Sequence, residues 1–286
     1  MAAIDISWLE AQFSELSGLA YLTSGGQKHV LSAQHTTHGH VALKLLKPQG
    51  ETEPVRRELL AVQEVSCGRV PSILDHGQLP VPVVGDCFWF VEQFVEGSPL
   101  STRLKTGPLT PEELLRCGCH ILEALAASES ASIVHRDVKP DNIMLASDGS
   151  YWLLDFGIAR HLGLDSLTAT SRHFGKFTPG YAPPEQFQNK KGEIDARADL
   201  FATGVTLYEC ATGQNPYHRG ARDPMEVLRR VEQQPLPRLS LSFPGSSEFE
   251  DLISALTQRR RDHRPASAAE AFDWITETRK SFGGGK

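Results

Sequence analysis

The sequence predicts an α+β chain of two lobes, a small β-rich one followed by a larger helical one. Three observations lead there. The first third carries short β-branched or apolar runs parted by Gly- and Ser-rich turns, and the remainder carries longer segments with apolar residues at helical spacing. The two regimes meet at Glu96-Gly97-Ser98-Pro99, a turn-forming stretch suited to a boundary. The chain then divides into an N-terminal helical extension (1–20), a small lobe (21–96), a large lobe (97–282) and a Gly-rich tail (283–286).

Taken in order, Trp8, Leu9 and Phe13 mark a short amphipathic helix that packs on the small lobe. Leu19–Leu22, His29–Ala33 and His40–Leu46 read as strands, with the histidines at 29, 35, 38 and 40 facing solvent. Glu51–Val65 has helical spacing, and Ser72–Asp75 and Cys87–Phe94 are further strands. Thr110-Pro111-Glu112-Glu113 opens a helix: Thr110 caps it, Pro111 suits the first helical position, and Glu113 can close a capping box. Ala196–Ala211, Pro224–Gln233, Glu248–Gln258 and Ser267–Lys280 follow as helices, the last with a second capping pair in Ser267 and Glu270.

Composition narrows the function classes. With 286 residues, 40 % hydrophobic and 22 % charged, the chain is of ordinary globular make-up and long enough to bury a core. Its 29 basic and 35 acidic residues give a net charge of −6, which argues against a general pull toward nucleic acid or anionic lipid. No apolar run is long enough for a membrane helix, and Met1–Glu15 carries acidic residues where a signal peptide needs basic ones. Five cysteines, an odd and sparse set, read as reduced thiols, so the expected location is cytoplasmic. Cys117 and Cys119 lie about 200° apart on a helix, which argues against a metal pair.

The chemistry concentrates in His135-Arg136-Asp137-Val138-Lys139-Pro140-Asp141-Asn142, followed after two apolar runs by Asp155-Phe156-Gly157. Two carboxylates, an amide and an ammonium sit here on tight turns between strands. Phosphoryl transfer needs such a set: one carboxylate to orient a hydroxyl, another with an amide oxygen for a divalent cation, and a lysine for phosphate charge.

Together with Val41-Ala42-Leu43-Lys44, Arg56-Arg57-Glu58, Pro183-Pro184-Glu185, Asp199 with Gly204, and Asp262-His263-Arg264-Pro265, this segment resembles the eukaryotic-like (Hanks-type) Ser/Thr protein kinases in their bacterial form. The resemblance covers roughly Leu22 to Phe282, and it implies the bilobal kinase fold with a helix C in the small lobe. It implies that Lys44 holds the α- and β-phosphates of ATP and pairs with Glu58. Asp137 becomes the catalytic base, Lys139 the phosphate-contacting lysine, and Asn142 and Asp155 the ligands of Mg²⁺ or Mn²⁺. Glu185, Asp199 and Arg264 become structural, with Arg264 bridged to Glu185. The adenine is placed by Val30 and Ala42 on one side and Met144 on the other, with backbone hydrogen bonds near Phe94–Val95.

Three positions depart from the family pattern. Where a Gly-rich loop is usual the chain reads Leu22-Thr23-Ser24-Gly25-Gly26-Gln27-Lys28-His29-Val30, so Thr23 and Lys28 replace two glycines while Gly25 and Gly26 remain. Lys28 could add charge over the phosphates or obstruct them. The stretch from Lys44 to Glu58 is short, which implies a trimmed helix C whose position depends on a partner. The alignment also puts Glu92 at the back of the adenine pocket, where an apolar residue is usual, although a shift of one residue fits equally well. A buried carboxylate there needs a partner.

Lys139 and Thr178, in Phe177-Thr178-Pro179, match the Ser/Thr form of the family, so the implied acceptors are protein Ser and Thr hydroxyls. Arg136 implies an activation segment ordered by phosphorylation, with Ser166, Thr168, Thr170 and Ser171 as acceptors for autophosphorylation. The expected partners are protein substrates and an activating protein, with no nucleic acid and no membrane insertion. The alternative is a pseudokinase, a nucleotide-sensing or scaffolding module, favoured only by the altered loop. A small-molecule kinase is disfavoured by Glu185, Asp199 and Arg264.

Overall fold

Asp5 starts the first helix, α1 (Ile6–Glu10), by accepting the N–H groups of Ser7 and Trp8 on its carboxylate. In the computed structural model, residues 4–24, 28–47, 53–82, 84–156, 177–188 and 190–283 are described. They form two units, one of the described residues up to 66 and from 71 to 95, the other of those at 67–70, 96–156 and 177–283.

The first unit is an antiparallel sheet of β1 (Leu16–Ser24), β2 (Lys28–His35), β3 (Gly39–Leu46), β4 (Ile73–Val81) and β5 (Gly85–Gln93), in the order β1-β2-β3-β5-β4. Helix α2 (Glu53–Gln63) lies between β3 and β4 in sequence and buries Leu59 and Val62. Strict alternation sorts the two faces of β3. Val41, Leu43 and Leu45 join Leu31, Ala33, Cys87 and Val91 in a core that Ile4 and Leu9 of the N-terminal segment complete. Ala42, Lys44 and Leu46 point the other way, beside Glu92, Phe90 and Phe88 of β5. Phe13 lies past the helix and sets its ring edge-on to Trp89, with centroids 4.9 Å apart.

Two expectations need correction here. The helical extension over 1–20 stops at Glu10, because Leu16 and Leu19 are buried in the sheet core and Glu10 accepts the Leu19 N–H at 2.9 Å. His29 is not solvent-facing: it lies opposite Leu45 on the core face, 4 % exposed, near the Tyr21 ring. Strand β4 also runs beyond the expected Asp75 and through Pro80, which an edge strand tolerates.

The second unit begins with β6 (Gly97–Pro99) and α3 (Leu100–Leu104). Gly97 is required, since a Cβ there would overlap the Leu145 carbonyl. Helix α4 (Pro111–Ser130) has the capping box in full, Thr110 and Glu113 exchanging hydrogen bonds. Strands β7 (Ile143–Ala146) and β8 (Tyr151–Leu153) add to β6 in a three-stranded sheet. After α5 (Pro184–Phe187) come α6 (Arg197–Thr212), α7 (Pro224–Gln233), α8 (Ser246–Leu256) and α9 (Ala268–Gly283). Helix α4 packs on α6 and α9, and α6 on α8. Gly204 permits the α6–α8 approach: a Cβ there would stand 2.6 Å from the Thr257 methyl and 2.9 Å from the Leu256 Cβ. In the second capping pair Ser267 accepts the Glu270 N–H, but the Glu270 carboxylate reaches the Ala266 N–H, one residue upstream of the expected box. Residues 67–70 join this unit because Arg69 bonds Glu123 and its carbonyl accepts the Leu153 N–H.

Candidate active site

In the first unit, Lys44 sits on the central strand, its backbone flanked by Val30 of β2 and Phe90 of β5. Its side chain is 5 % exposed, and its ammonium lies 2.5 Å from Oε1 of Glu92 and 5.5 Å from the centre of the Phe90 ring. The carboxylate that needed a partner therefore has one in Lys44. Glu58 stands on α2, but its side chain lies outside the described residues, as do Gly25 and Gly26. Thr23 and Lys28 end β1 and begin β2, with Thr23 opposite Val30 and Lys28 opposite Leu46. Ala42 lies across from Glu92, and Val95 is buried.

In the second unit the strands of the small sheet place the loop residues. Asn142 immediately precedes β7, Asp155 follows β8 by two residues, and the Leu154 N–H donates to the Asn142 carbonyl at 2.8 Å. Antiparallel pairing thus brings the amide and the second carboxylate to one end of this sheet. Met144 is on β7 opposite Trp152.

Asp137 receives three side-chain donors. Thr178 donates to Oδ1 at 2.7 Å, and Lys139 and Asn142 donate to Oδ2 at 2.7 and 2.9 Å. Lys139 also donates to the Thr178 hydroxyl at 2.9 Å, so threonine, lysine and aspartate close a ring of hydrogen bonds. Asn142 spends its amide N–H groups on the Asp137 carboxylate and carbonyl, which leaves its amide oxygen as an acceptor. An amide oxygen and the Asp155 carboxylate are a hard oxygen donor set that fits Mg²⁺.

The backbone under Asp137 is held from below. Asp199 accepts the N–H groups of His135 and Arg136 at 2.7 and 2.5 Å, and Gln186 donates to the Arg136 carbonyl at 2.8 Å. These bonds hold Arg136 at a φ of 67°, a left-handed conformation costing on the order of 1–3 kcal/mol for a non-glycine residue. Asp155 is also left-handed, at 60°. His135 accepts the Asp137 N–H on Nδ1 and donates from Nε2 to the Leu154 carbonyl, which sets the neutral tautomer. Full burial lowers its pKa below the ordinary imidazole value.

Further from the loop, Glu185 on α5 meets Arg264, as the sequence implied. Ser166, Thr168, Thr170 and Ser171 lie outside the described residues. Sequence reasoning missed Gln186 as a support of the loop, and nothing but its place after Glu185 marks it. It also left Lys44 without Glu92, a pairing that only the β3–β5 register reveals.

A family model described as the protein kinase domain matches residues 19–274. The chain is similar to the serine/threonine-protein kinase PknH of Mycobacterium bovis, with 33 % identity over 258 residues, 87 % of this chain and 41 % of the relative. It is similar to a probable serine/threonine-protein kinase of Streptomyces coelicolor, SCO3848, with 37 % identity over 257 residues, 87 % of this chain and 37 % of the relative. The chain thus spans about two fifths of the length of these curated relatives. Among solved structures, the kinase domain of Mycobacterium tuberculosis PknI matches in fold with a TM-score of 0.66 and 21 % identity, over 93 % of this chain and 96 % of that one.

Proposed function

Because the chain belongs to the protein kinase domain family, we propose that it transfers the γ-phosphoryl group of ATP to serine and threonine hydroxyls of proteins. The observation that carries the reading is the set of donors on Asp137. They fix the rotamer of a carboxylate that is still one-third exposed, with a side-chain exposure of 32 %. Such a carboxylate can accept the proton of an incoming hydroxyl and hold its oxygen in line with the phosphorus.

The remaining roles follow from chemistry. Lys44 meets the α- and β-phosphates, and Lys139, already beside Asp137, faces charge that develops on the transferred group. The Asn142 amide oxygen and Asp155 hold Mg²⁺, with Mn²⁺ as a substitute, and the cation when bound neutralises phosphate charge. Ser and Thr acceptors are favoured over Tyr by Lys139 and Thr178 and by the names of the relatives. Activation-segment autophosphorylation at Ser166, Thr168, Thr170 or Ser171, and an activating protein partner, belong to the same proposal. Five free cysteines suit a reducing compartment, so we place the protein in the cytoplasm; among the described residues no helix is long and apolar enough to cross a membrane.

The test is the intact mass of phosphate-free protein after incubation with Mg-ATP and a protein acceptor. Asp155→Asn, which loses a cation ligand, runs beside it. Phosphoryl-sized mass steps on chain or acceptor in the wild type alone support the proposal. No step in either protein refutes it.

A further inference from the structure

The sheet face that carries Lys44 holds a second charged residue, Glu92. In the β3–β5 register Lys44 lies opposite Phe90 and Ala42 opposite Glu92, so lysine and glutamate are diagonal neighbours on one face. Diagonal positions are within reach of two long side chains, and here the ammonium and carboxylate meet at 2.5 Å with side chains 5 % and 10 % exposed. Charges so withdrawn from water persist only when paired. The Phe90 ring, 5.5 Å from the ammonium, adds a favourable π face. Both partners are carried on interior strands of one continuous sheet, β3 between β2 and β5, and β5 between β3 and β4.

We propose that Glu92 is the positioning residue of Lys44. The carboxylate on β5 fixes the ammonium at a set point above the sheet, so part of the aim of this lysine is built into the pairing of β3 with β5. The inference rests on the reading of Lys44 as the phosphate-contacting residue. It adds to that reading a source of order for the lysine. A lysine tethered by a strand gains one anchor that does not travel with the helix that carries Glu58. The expected trimming of that helix then need not loosen the site.

Wild type, Glu92→Gln and Glu92→Asp, each as the 286-residue chain, are compared by calorimetry with Mg-ADP and with adenosine. A lysine that is mispositioned harms only ligands with phosphates. Glu92→Gln, nearly isosteric, is expected to weaken Mg-ADP by about tenfold while adenosine changes by less than about twofold. Glu92→Asp, which keeps the charge, recovers part of the loss. Unchanged or tighter Mg-ADP in Glu92→Gln would overturn the proposal, since the carboxylate would then be idle or a competitor of the phosphates. Equal losses for adenosine and Mg-ADP would overturn it too, by making Glu92 merely structural.

A second measurement needs no nucleotide: the rate at which Lys44 is acylated by a water-soluble reagent at fixed pH, read by peptide mass mapping. Faster labelling in Glu92→Gln than in wild type supports the tether. Equal labelling of wild type and Glu92→Gln overturns it. A wild type that binds neither ligand would sink the proposed function, and the labelling alone would then decide the role of Glu92.

Discussion

Arg264 spends every donor of its guanidinium on groups of its own unit, and two of them go to Glu185. Nη1 and Nη2 donate to Oε1 and Oε2 at 2.6 and 3.1 Å, a bidentate fork. The other three reach the carbonyls of Gln258, Arg197 and Arg259, and the guanidinium lies 5.0 Å from the centre of the Phe201 ring. The two side chains are 0 % and 6 % exposed.

Removing either partner strands a buried charge, which costs about 3–5 kcal/mol. Glu185→Ala and Arg264→Ala are therefore expected to lower the denaturant midpoint by comparable large amounts. The double variant should lose far less than the sum. Arg264→Lys should recover less than half, because an ammonium has three donors and no planar fork. Equilibrium unfolding of the four variants checks this, and full rescue by lysine would refute the role given to the fork.

Asp199 shapes the loop from His135 to Asn142 by accepting two successive N–H groups, those of His135 and Arg136. Asparagine offers one acceptor oxygen and turns an N–H₂ toward a donor. Asp199→Asn is expected to lose about 1–3 kcal/mol of stability. By releasing the left-handed Arg136 it should also lower kcat by at least about tenfold, with KM for ATP changed by less than about twofold. Steady-state kinetics with a protein acceptor, beside thermal unfolding, separates the two effects. A variant with full kcat would show that the loop keeps its shape without this clamp.

Local signals were the most legible part of the sequence. Thr110 and Glu113 announce α4 because a capping box needs only residues three apart. The loop from His135 to Asn142 is equally readable, since its donors lie within a few residues of Asp137, with Thr178 the exception. Non-local facts were not. Glu92 reaches Lys44 only because β3 and β5 pair in one register, and a slip of one residue would send it to the opposite face. His29 is buried opposite Leu45, on the same side of β2 as Leu31 and Ala33, which polarity at position 29 does not disclose. The segment from Leu16 reads poorly as a strand because Gly18 interrupts it at a φ of 64°, where the β1–β2 register shifts.

His120 predicts an acid limb of stability. It lies on α4, 9 % exposed, and accepts the Tyr151 N–H on Nδ1 at 3.0 Å. Burial, with the charges of Arg69, Arg279 and Arg116 against the weaker pull of Asp148, lowers its pKa to about 4. The unfolded chain, with an ordinary value near 6.5, binds this proton first. Its contribution is thus whole above pH 6.5 and is lost as pH falls toward 4, by about 2 kcal/mol once partial solvent screening is allowed for. His135, lowered by burial, acts in the same direction, whereas Glu209, raised by burial, opposes it. His120→Asn, whose amide oxygen can still accept the Tyr151 N–H, should flatten the dependence between pH 4 and 6.5. Urea midpoints of both proteins across that range test it, and identical slopes would refute the assignment.

Thr178 joins Asp137 and Lys139, the two charged residues to which the proposal gives the transfer step. Its hydroxyl donates to Asp137 at 2.7 Å and accepts from Lys139 at 2.9 Å, so one side chain bridges the carboxylate and the ammonium. Alanine removes both contacts and leaves the Lys139 ammonium held beside Asp137 by their own 2.7 Å contact alone. A hydrogen bond to a charged group is worth about 1.5–3 kcal/mol, or roughly ten- to a hundredfold in rate. Thr178→Ala should therefore lose kcat on that scale with little change in KM for ATP, because both contacts serve groups proposed to act on charge and proton in the transfer itself rather than on resting nucleotide. Serine keeps the hydroxyl and should restore most of the rate, whereas valine keeps the shape without the hydroxyl and should not. Initial rates of acceptor phosphorylation by the three variants decide between them. If valine matched threonine, packing and not hydrogen bonding would be what Thr178 supplies.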